Sequence, residues 1–254
     1  MSLIPCDDLH AKCPDSGKYT DVFLKEIEPD IVIVVAYGKI IPKRFLSLPK
    51  HGFKNLHASL LPKWRGAAPI QRSIMNLDSE TGISIIKINE KLDAGPVMQQ
   101  DRVKLNENID YLTLSKVLSK LGAKKILEAV DKLEKGIAEF SEQNHSQATY
   151  AKKISKEEGE VKWDDTANKI LAKINGIKSN PGAWFMYKNK RYKIWKAEIV
   201  NQNGETGKTI DNDLTIACKD KSIKILEIQK EGKDKQSADN FLLGNKIIKG
   251  EKIK

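Results

Sequence analysis

Cysteine is scarce in this chain: three residues among 254, Cys6, Cys13 and Cys218. Three thiols cannot all pair, so a disulfide-stapled secreted scaffold is excluded and a reducing compartment is indicated. Cys6, His10 and Cys13 stand close enough to raise the question of a metal. No second ligand pair follows, however, and the spacing fits no standard zinc pattern, so no metal is expected. Long apolar runs are absent too, which excludes a membrane-spanning helix, and the N-terminus lacks a basic region followed by an apolar stretch. The expected setting is cytoplasmic, with no membrane partner. Arginine is sparse, five of 44 basic residues (44, 65, 72, 102 and 191), so the basic excess is lysine. Lysine supplies field and phosphate attraction more than bidentate base reading. Internal repeats, low-complexity tracts and a Ser or Cys nucleophile elbow are also missing, and the last of these weighs against a covalent acyl-enzyme.

What is present starts with charge. A net +10 favours a polyanionic partner such as nucleic acid or a phosphorylated substrate. The length suits two modest domains. DIVIVVAYG, residues 30–38, is a β-branched run after the amphipathic YTDVFLKEIEP, which Pro29 stops. A strand buried on both faces needs helices above and below it, so a doubly wound α/β sheet is expected. A short helix to about Leu48, a strand over 53–56, a helix over 68–76, a strand over 83–88, a short strand over 97–99 and a long helix over 111–135 follow. Residues 141–160 are polar and aperiodic and read as a linker. A helix over 163–178, capped by Asp164 or Asp165, then leads into short strands with a hairpin at Lys188-Asn189. These strands form a small β-barrel-like domain, with Trp184, Tyr187, Tyr192 and Trp195 expected in its core. Residues 158–254 carry 20 basic and 14 acidic side chains, a higher positive density than the rest.

The chemistry points to FKNLHASLLPKWRG, residues 53–66. Side chains alternate along a strand, so Asn55 and His57 share a face, about 7 Å apart at the usual rise. An uncharged amide donor suits an anionic oxygen forming on a carbonyl, and an imidazole can carry a proton near neutral pH. Asp93, in the Gly/Pro loop NEKLDAGP, is the natural third member, because a carboxylate can orient an imidazole. As isolated residues an Asn-x-His and a turn Asp are ordinarily structural. His10, His51 and His145, in loop-like context, are read as structural.

The longer string decides between these readings. NLHASLLPKWRGAAPIQRSI followed by ETGISIIKINEKLDAGPVM closely resembles the methionyl-tRNA formyltransferase family. The likeness extends upstream through VVAYGKIIPK and downstream through TYAKKISKEEGEVKW, NPGAWF and KIWKAE. It implies an α/β architecture: a Rossmann-like, doubly wound, mostly parallel sheet, N-terminally incomplete, followed by a smaller OB-like β-barrel domain. The implied layout is a catalytic domain over 1–138, a linker over 139–157 and an OB-like tRNA-binding domain over 158–254. Family members carry a further strand, glycine turn and helix upstream, so roughly 50 residues are expected to be missing here. Residue by residue, Asn55, His57 and Asp93 match the family's catalytic trio. Ser59, Leu60, Leu61 and Pro62 match its tetrahydrofolate-binding stretch, and Tyr37 and Gly38 fall where such enzymes line the folate pocket. The implied reaction moves a formyl group from 10-formyltetrahydrofolate to the amine of initiator methionyl-tRNA, with the enzyme a monomer in a bacterial cytosol or an organelle matrix. Formyltransferases of small amines such as amino sugars, and an inactive RNA-binding remnant, are the rivals. RGAAPIQR and the basic C-terminal domain favour the tRNA enzyme.

Overall fold

The computed structural model describes residues 24–38 and 40–253. Cys6, His10, Cys13 and the first part of the helix expected over 19–29 lie outside the described residues, while 24–27 are helical. The chain separates into two compact units. The first runs through Pro69 and takes in Gly82–Arg102 and Leu118–Ala151; the second takes in Ile70–Thr81, Val103–Val117 and the chain from Lys152 on.

The first unit is built on a four-stranded sheet in the order β1 (Val32–Val35), β2 (Phe53–His57), β4 (Glu80–Lys87) and β5 (Val97–Lys104). Strand β1 (Val32–Val35) is four consecutive β-branched residues, a composition that packs well on a pleated surface and crowds a helix. It lies parallel to β2 (Phe53–His57), with Val34 opposite Asn55 and Val35 opposite Leu56. Helix α1 (Lys43–Leu46) lies between them in sequence, starting after Pro42. Strand β4 (Glu80–Lys87) joins the other side of β2 antiparallel, with Ile86 opposite Asn55 and Ser84 opposite His57.

Period two then sorts β2 into two faces. Phe53 turns to one side and packs with Leu24 and Phe45, from 24–27 and α1. Leu56 turns to the other, beneath helix α3 (Tyr111–Glu134). There the backbone comes so close that a β-carbon on Gly122 would stand 2.5 Å from Leu56 Cδ2. Helical layers on both faces are the doubly wound arrangement expected. Strand β5 (Val97–Lys104) runs well past the three residues expected. It ends the sheet, where one side of a strand meets water, so the polar stretch Gln99-Gln100-Asp101-Arg102 is accommodated.

Residues expected to act as a linker are bonded to this unit in their first part. Ser141 and Val97 exchange backbone hydrogen bonds of 2.8 Å. Strand β6 (Tyr150–Ala151) lies parallel to β3 (Arg65–Gly66). Gln143 and Ala151 are buried, positions an apolar-period reading of a polar segment does not detect.

Helix α2 (Pro69–Met75), which belongs to the second unit from Ile70 on, opens on proline, whose missing N–H is harmless at a first turn. Helix α4 (Ala167–Gly176) starts later than expected, and its cap is neither Asp164 nor Asp165. Thr166 accepts from Lys169 N at 3.4 Å, and Asp220, distant in sequence, accepts from Ala167 N at 2.8 Å. Strands β7 (Ala183–Tyr187), β8 (Lys190–Val200), β9 (Thr215–Ala217), β10 (Ser222–Lys230) and β11 (Gln236–Ser237) form an antiparallel sheet, followed by α5 (Ala238–Gly244). The β7–β8 hairpin turns at Lys188 and Asn189, both at positive φ (47° and 60°), as a tight primed turn requires. Alternation divides the four expected core aromatics. Tyr187 and Tyr192 are buried with Phe185, Ile194 and Phe241, whereas Trp184 and Trp195 lie half-buried on the opposite face. On that face the Arg191 guanidinium stands 4.4 Å from the Trp184 ring centre, and the Lys193 ammonium 4.3 Å from that of Trp195.

Candidate active site

Strand β2 delivers Asn55 and His57 to one face, and the loop between β4 and β5 brings Asp93 to meet both. Asp93 sits at φ 46°, a left-handed conformation that Asp tolerates better than most residues. Its Oδ1 accepts a hydrogen bond from Asn55 Nδ2 at 3.1 Å. Its Oδ2 accepts from the Gly66 backbone N–H at 2.8 Å and stands 3.6 Å from His57 Nδ1. His57 Nε2 lies 2.8 Å from the Trp64 carbonyl oxygen. A carbonyl only accepts, so Nε2 carries the hydrogen in that bond and the Nδ1 edge is left facing the carboxylate. The His57 side chain is 6% exposed and that of Asp93 13%, so the two groups face each other with little water between them.

Two backbone groups that sequence reasoning did not single out, Trp64 C=O and Gly66 N–H, therefore frame the trio. Gly66 is required here. Its φ is 118°, and a β-carbon on it would lie 2.9 Å from the Ala151 carbonyl oxygen across the β3–β6 pair. The Gly after Arg65 in the sequence is the only outward sign of this.

The turn that follows His57 is closed from within. Ser59 is fully buried, its hydroxyl donates to Lys63 O at 2.6 Å and its carbonyl accepts from Ser84 Oγ at 2.6 Å. Leu61 is buried too, its N–H donating to Ser84 Oγ at 3.0 Å and its carbonyl accepting from Gln100 Nε2 at 2.7 Å. Leu60 and Pro62 are half-buried, and the Leu61–Pro62 peptide is cis. Ser59 and Leu61 thus shape this turn rather than present free side chains. Tyr37 and Gly38 follow β1 beyond its C-terminal end, after the chain turns at Ala36 (φ 52°). In an open α/β sheet that end of adjacent parallel strands is where ligands bind.

The arginines of the RGAAPIQR stretch are used inside the fold. Arg65 is 4% exposed and donates to Gln143 Oε1 from Nε (3.2 Å) and Nη2 (2.7 Å), with Nη2 also 2.9 Å from His145 Nδ1. Arg72 makes two bonds to the Glu158 carboxylate, of 2.6 and 3.1 Å, and two more to the Lys152 carbonyl. That guanidinium holds the Glu158 carboxyl below the usual carboxylate range. Their value as a polyanion-binding surface, expected from sequence, is thereby reduced.

Next to Asn55, but on the opposite face of β2, Lys54 is 2% exposed. Its ammonium donates to the His51 carbonyl and lies 5.5 Å from the Phe140 ring centre. Burial, aided by the nearby Lys87 charge, pushes its pKa down to about 8. Among the described residues no group of three or more His, Cys, Asp and Glu side chains could hold a metal, and no helix is long and apolar enough to cross a membrane.

Residues 17–130 match the family model for formyl transferase, and residues 153–246 match that for the formyl transferase C-terminal domain. A methionyl-tRNA formyltransferase of Pelagibacter ubique is 53% identical over 98% of this chain and 83% of its own. The chain belongs to the methionyl-tRNA formyltransferase family. A second relative of that name, from Caldicellulosiruptor saccharolyticus, is 41% identical over 96% of this chain and 81% of its own. Among solved structures, HypX from Aquifex aeolicus in complex with tetrahydrofolic acid superposes with a TM-score of 0.68 at 19% identity, covering 86% of this chain and 39% of that one. At that identity the likeness is one of fold. The Asn55–His57–Asp93 cluster of this family member lies within the span of the first family model.

Proposed function

We propose that this protein transfers the formyl group of 10-formyltetrahydrofolate to the α-amine of initiator methionyl-tRNA. The observation that carries the reading is the meeting of Asn55, His57 and Asp93 on one carboxylate, in a chain of this family. The tRNA amine attacks the formyl carbon, forming the new C–N bond and an oxyanion. Collapse breaks the bond to the folate N10, and the proton lost by the amine goes to that nitrogen.

Each residue has one task in this scheme. One Asn55 amide hydrogen binds Asp93 and the other is directed at the oxyanion, an uncharged donor fixed before charge develops. His57 exchanges the proton through Nδ1, since Nε2 is committed to Trp64 O. Asp93 orients that ring and forms an ion pair with it when both nitrogens are protonated. Tyr37 and Gly38 together with the Ser59-Leu60-Leu61-Pro62 turn form the folate side of the crevice, and Ser59 and Leu61 act there through the turn's shape. Folate is a co-substrate here, and no metal takes part in the scheme.

The catalytic domain spans 1–138, the linker 139–157 and the OB-like tRNA-binding domain 158–254. The Trp184–Arg191–Lys193–Trp195 face of the last supplies cations and stacking surfaces for RNA. The enzyme works as a monomer in a bacterial cytosol or an organelle matrix. The deciding test is formyl transfer to methionyl-tRNA by purified protein. Asn55→Ala is expected to lower kcat on the order of a hundredfold or more. Turnover near that of the unaltered chain would overturn the assignment of Asn55, and transfer to a free amino sugar in preference to tRNA would overturn the substrate.

A further inference from the structure

Asp93 is the hub of the site, yet it sits on a loop, at a left-handed φ, and loops are where geometry is most easily lost. Its carboxylate is held by Asn55 and Gly66, but both bonds come from groups it is meant to orient or from the wall of the site. The backbone under it is fastened from elsewhere. Gln143, from the segment after α3, directs its amide nitrogen at two carbonyls that flank Ala94: Asp93 O at 2.9 Å and Gly95 O at 2.7 Å. Its own carbonyl oxygen accepts two bonds from the buried Arg65 guanidinium.

The bonding capacity of this amide is filled, with both hydrogens donated and both lone pairs used. The residue is 6% exposed, so none of these bonds is readily replaced by water. Arg65 is fixed in turn. It only donates, so His145 Nδ1 accepts its hydrogen and the ring hydrogen of neutral His145 lies on Nε2. At the backbone Arg65 N donates to Thr149 O at 2.9 Å. The chain of contacts thus links the segment over 143–149 and β3 to the loop that carries Asp93. Moreover, β3 supplies through Gly66 the N–H that binds Asp93 Oδ2.

We infer that Gln143 is a positioning residue for catalysis, holding the Asp93 carboxylate at His57 and Asn55 while touching neither substrate. The kinetic part of this inference rests on the transfer reaction proposed above; the structural part does not. Gln143→Glu is the discriminating variant. It keeps the shape and still accepts from Arg65, yet it puts an acceptor where Asp93 O and Gly95 O need donors. Gln143→Leu, of similar bulk and uncharged, is the second variant.

Both are expected to lower kcat on the order of tenfold or more, as misplacement of a catalytic group does, with KM for folate and for tRNA changed less than about twofold. In an Asp93→Asn background, measured by single turnover, the same substitutions are expected to cost little further, because two residues acting through one interaction are not additive. Amide hydrogen exchange over 91–96 is expected to quicken about tenfold, with the strands of the sheet unchanged. Folded variants with full kcat, or with an equal loss in both Asp93 backgrounds, or with unaltered exchange over 91–96, would overturn the inference. The exchange arm reads Gln143 even if the unaltered chain transfers no formyl group, an outcome that would sink the proposed function separately.

Discussion

At the scale of single residues, neighbours in sequence meet different chemistry because a strand turns them to opposite faces. Asn55 faces Asp93, while Lys54 is sealed under the other face with His51, Lys87 and Phe140 around it. Burial disfavours its charged form, which sets the sign of a pH effect. The ordinary lysine value is 10.5 and the folded one about 8, so between these pH values the unfolded chain binds more protons and stability rises with pH. Below pH 8 the full penalty is present, on the order of 3 kcal/mol. Lys54→Met removes it but leaves the His51 carbonyl without this donor, at a cost of about 1 kcal/mol. The variant is therefore expected to be more stable than the unaltered protein by roughly 2 kcal/mol at pH 7. The gap should close as pH rises through 8 toward 10.5, and denaturant melts of both proteins at pH 7 and pH 10 measure it. An equal gap at both pH values would mean that packing, not charge, sets the difference.

At the scale of elements, what the sequence made legible was whatever short-range rules dictate. The β-branched run of β1, the proline at the start of α2, the turn at Lys188-Asn189 and the shared face of Asn55 and His57 all follow from residues a few positions apart. Asp93 was picked out by its Gly/Pro loop and by family likeness, but its distances to the pair depend on how the β4–β5 loop folds back on β2. Gln143, Arg65 and β6 gave no local signal, since a buried polar residue is explained by its partners and these lie as far as 85 residues away, as Tyr150 of β6 does from Arg65. The cap of α4 shows the same limit. Acid-first reasoning selects Asp164 or Asp165, whereas the tertiary fold brings Asp220 to Ala167 N and leaves Thr166 to cap Lys169 N. Thr166→Ala is accordingly expected to cost about 1 kcal/mol. Asp164→Ala should stay within about 0.5 kcal/mol. Thermal melts of the two variants distinguish the caps, and a larger loss for Asp164→Ala would restore the acidic cap.

At the scale of the whole molecule, charge is the property that neither a residue nor an element contains. The net +10 is lysine-dominated, and 20 basic side chains fall within 158–254. With Arg65 and Arg72 spent on internal contacts, recognition of a polyanion passes to exposed cations elsewhere. The face of β7 and β8 bearing Trp184 and Trp195 is suited to it: both rings are half-buried, and each lies beside a cation that can also meet a phosphate. Electrostatic binding of this kind releases counterions, so affinity falls steeply with salt while binding of a small folate depends on it far less. Raising salt from 50 to 200 mM should therefore raise KM for methionyl-tRNA by at least about tenfold with KM for the folate nearly constant. The double substitution Arg191→Glu and Lys193→Glu should raise KM for tRNA by a similar factor at low salt and flatten its salt dependence, with kcat and the folate KM unchanged. Those four quantities, measured across a salt series, separate the two substrates physically. A salt slope left intact by the double substitution would move the tRNA contact to another face of the protein.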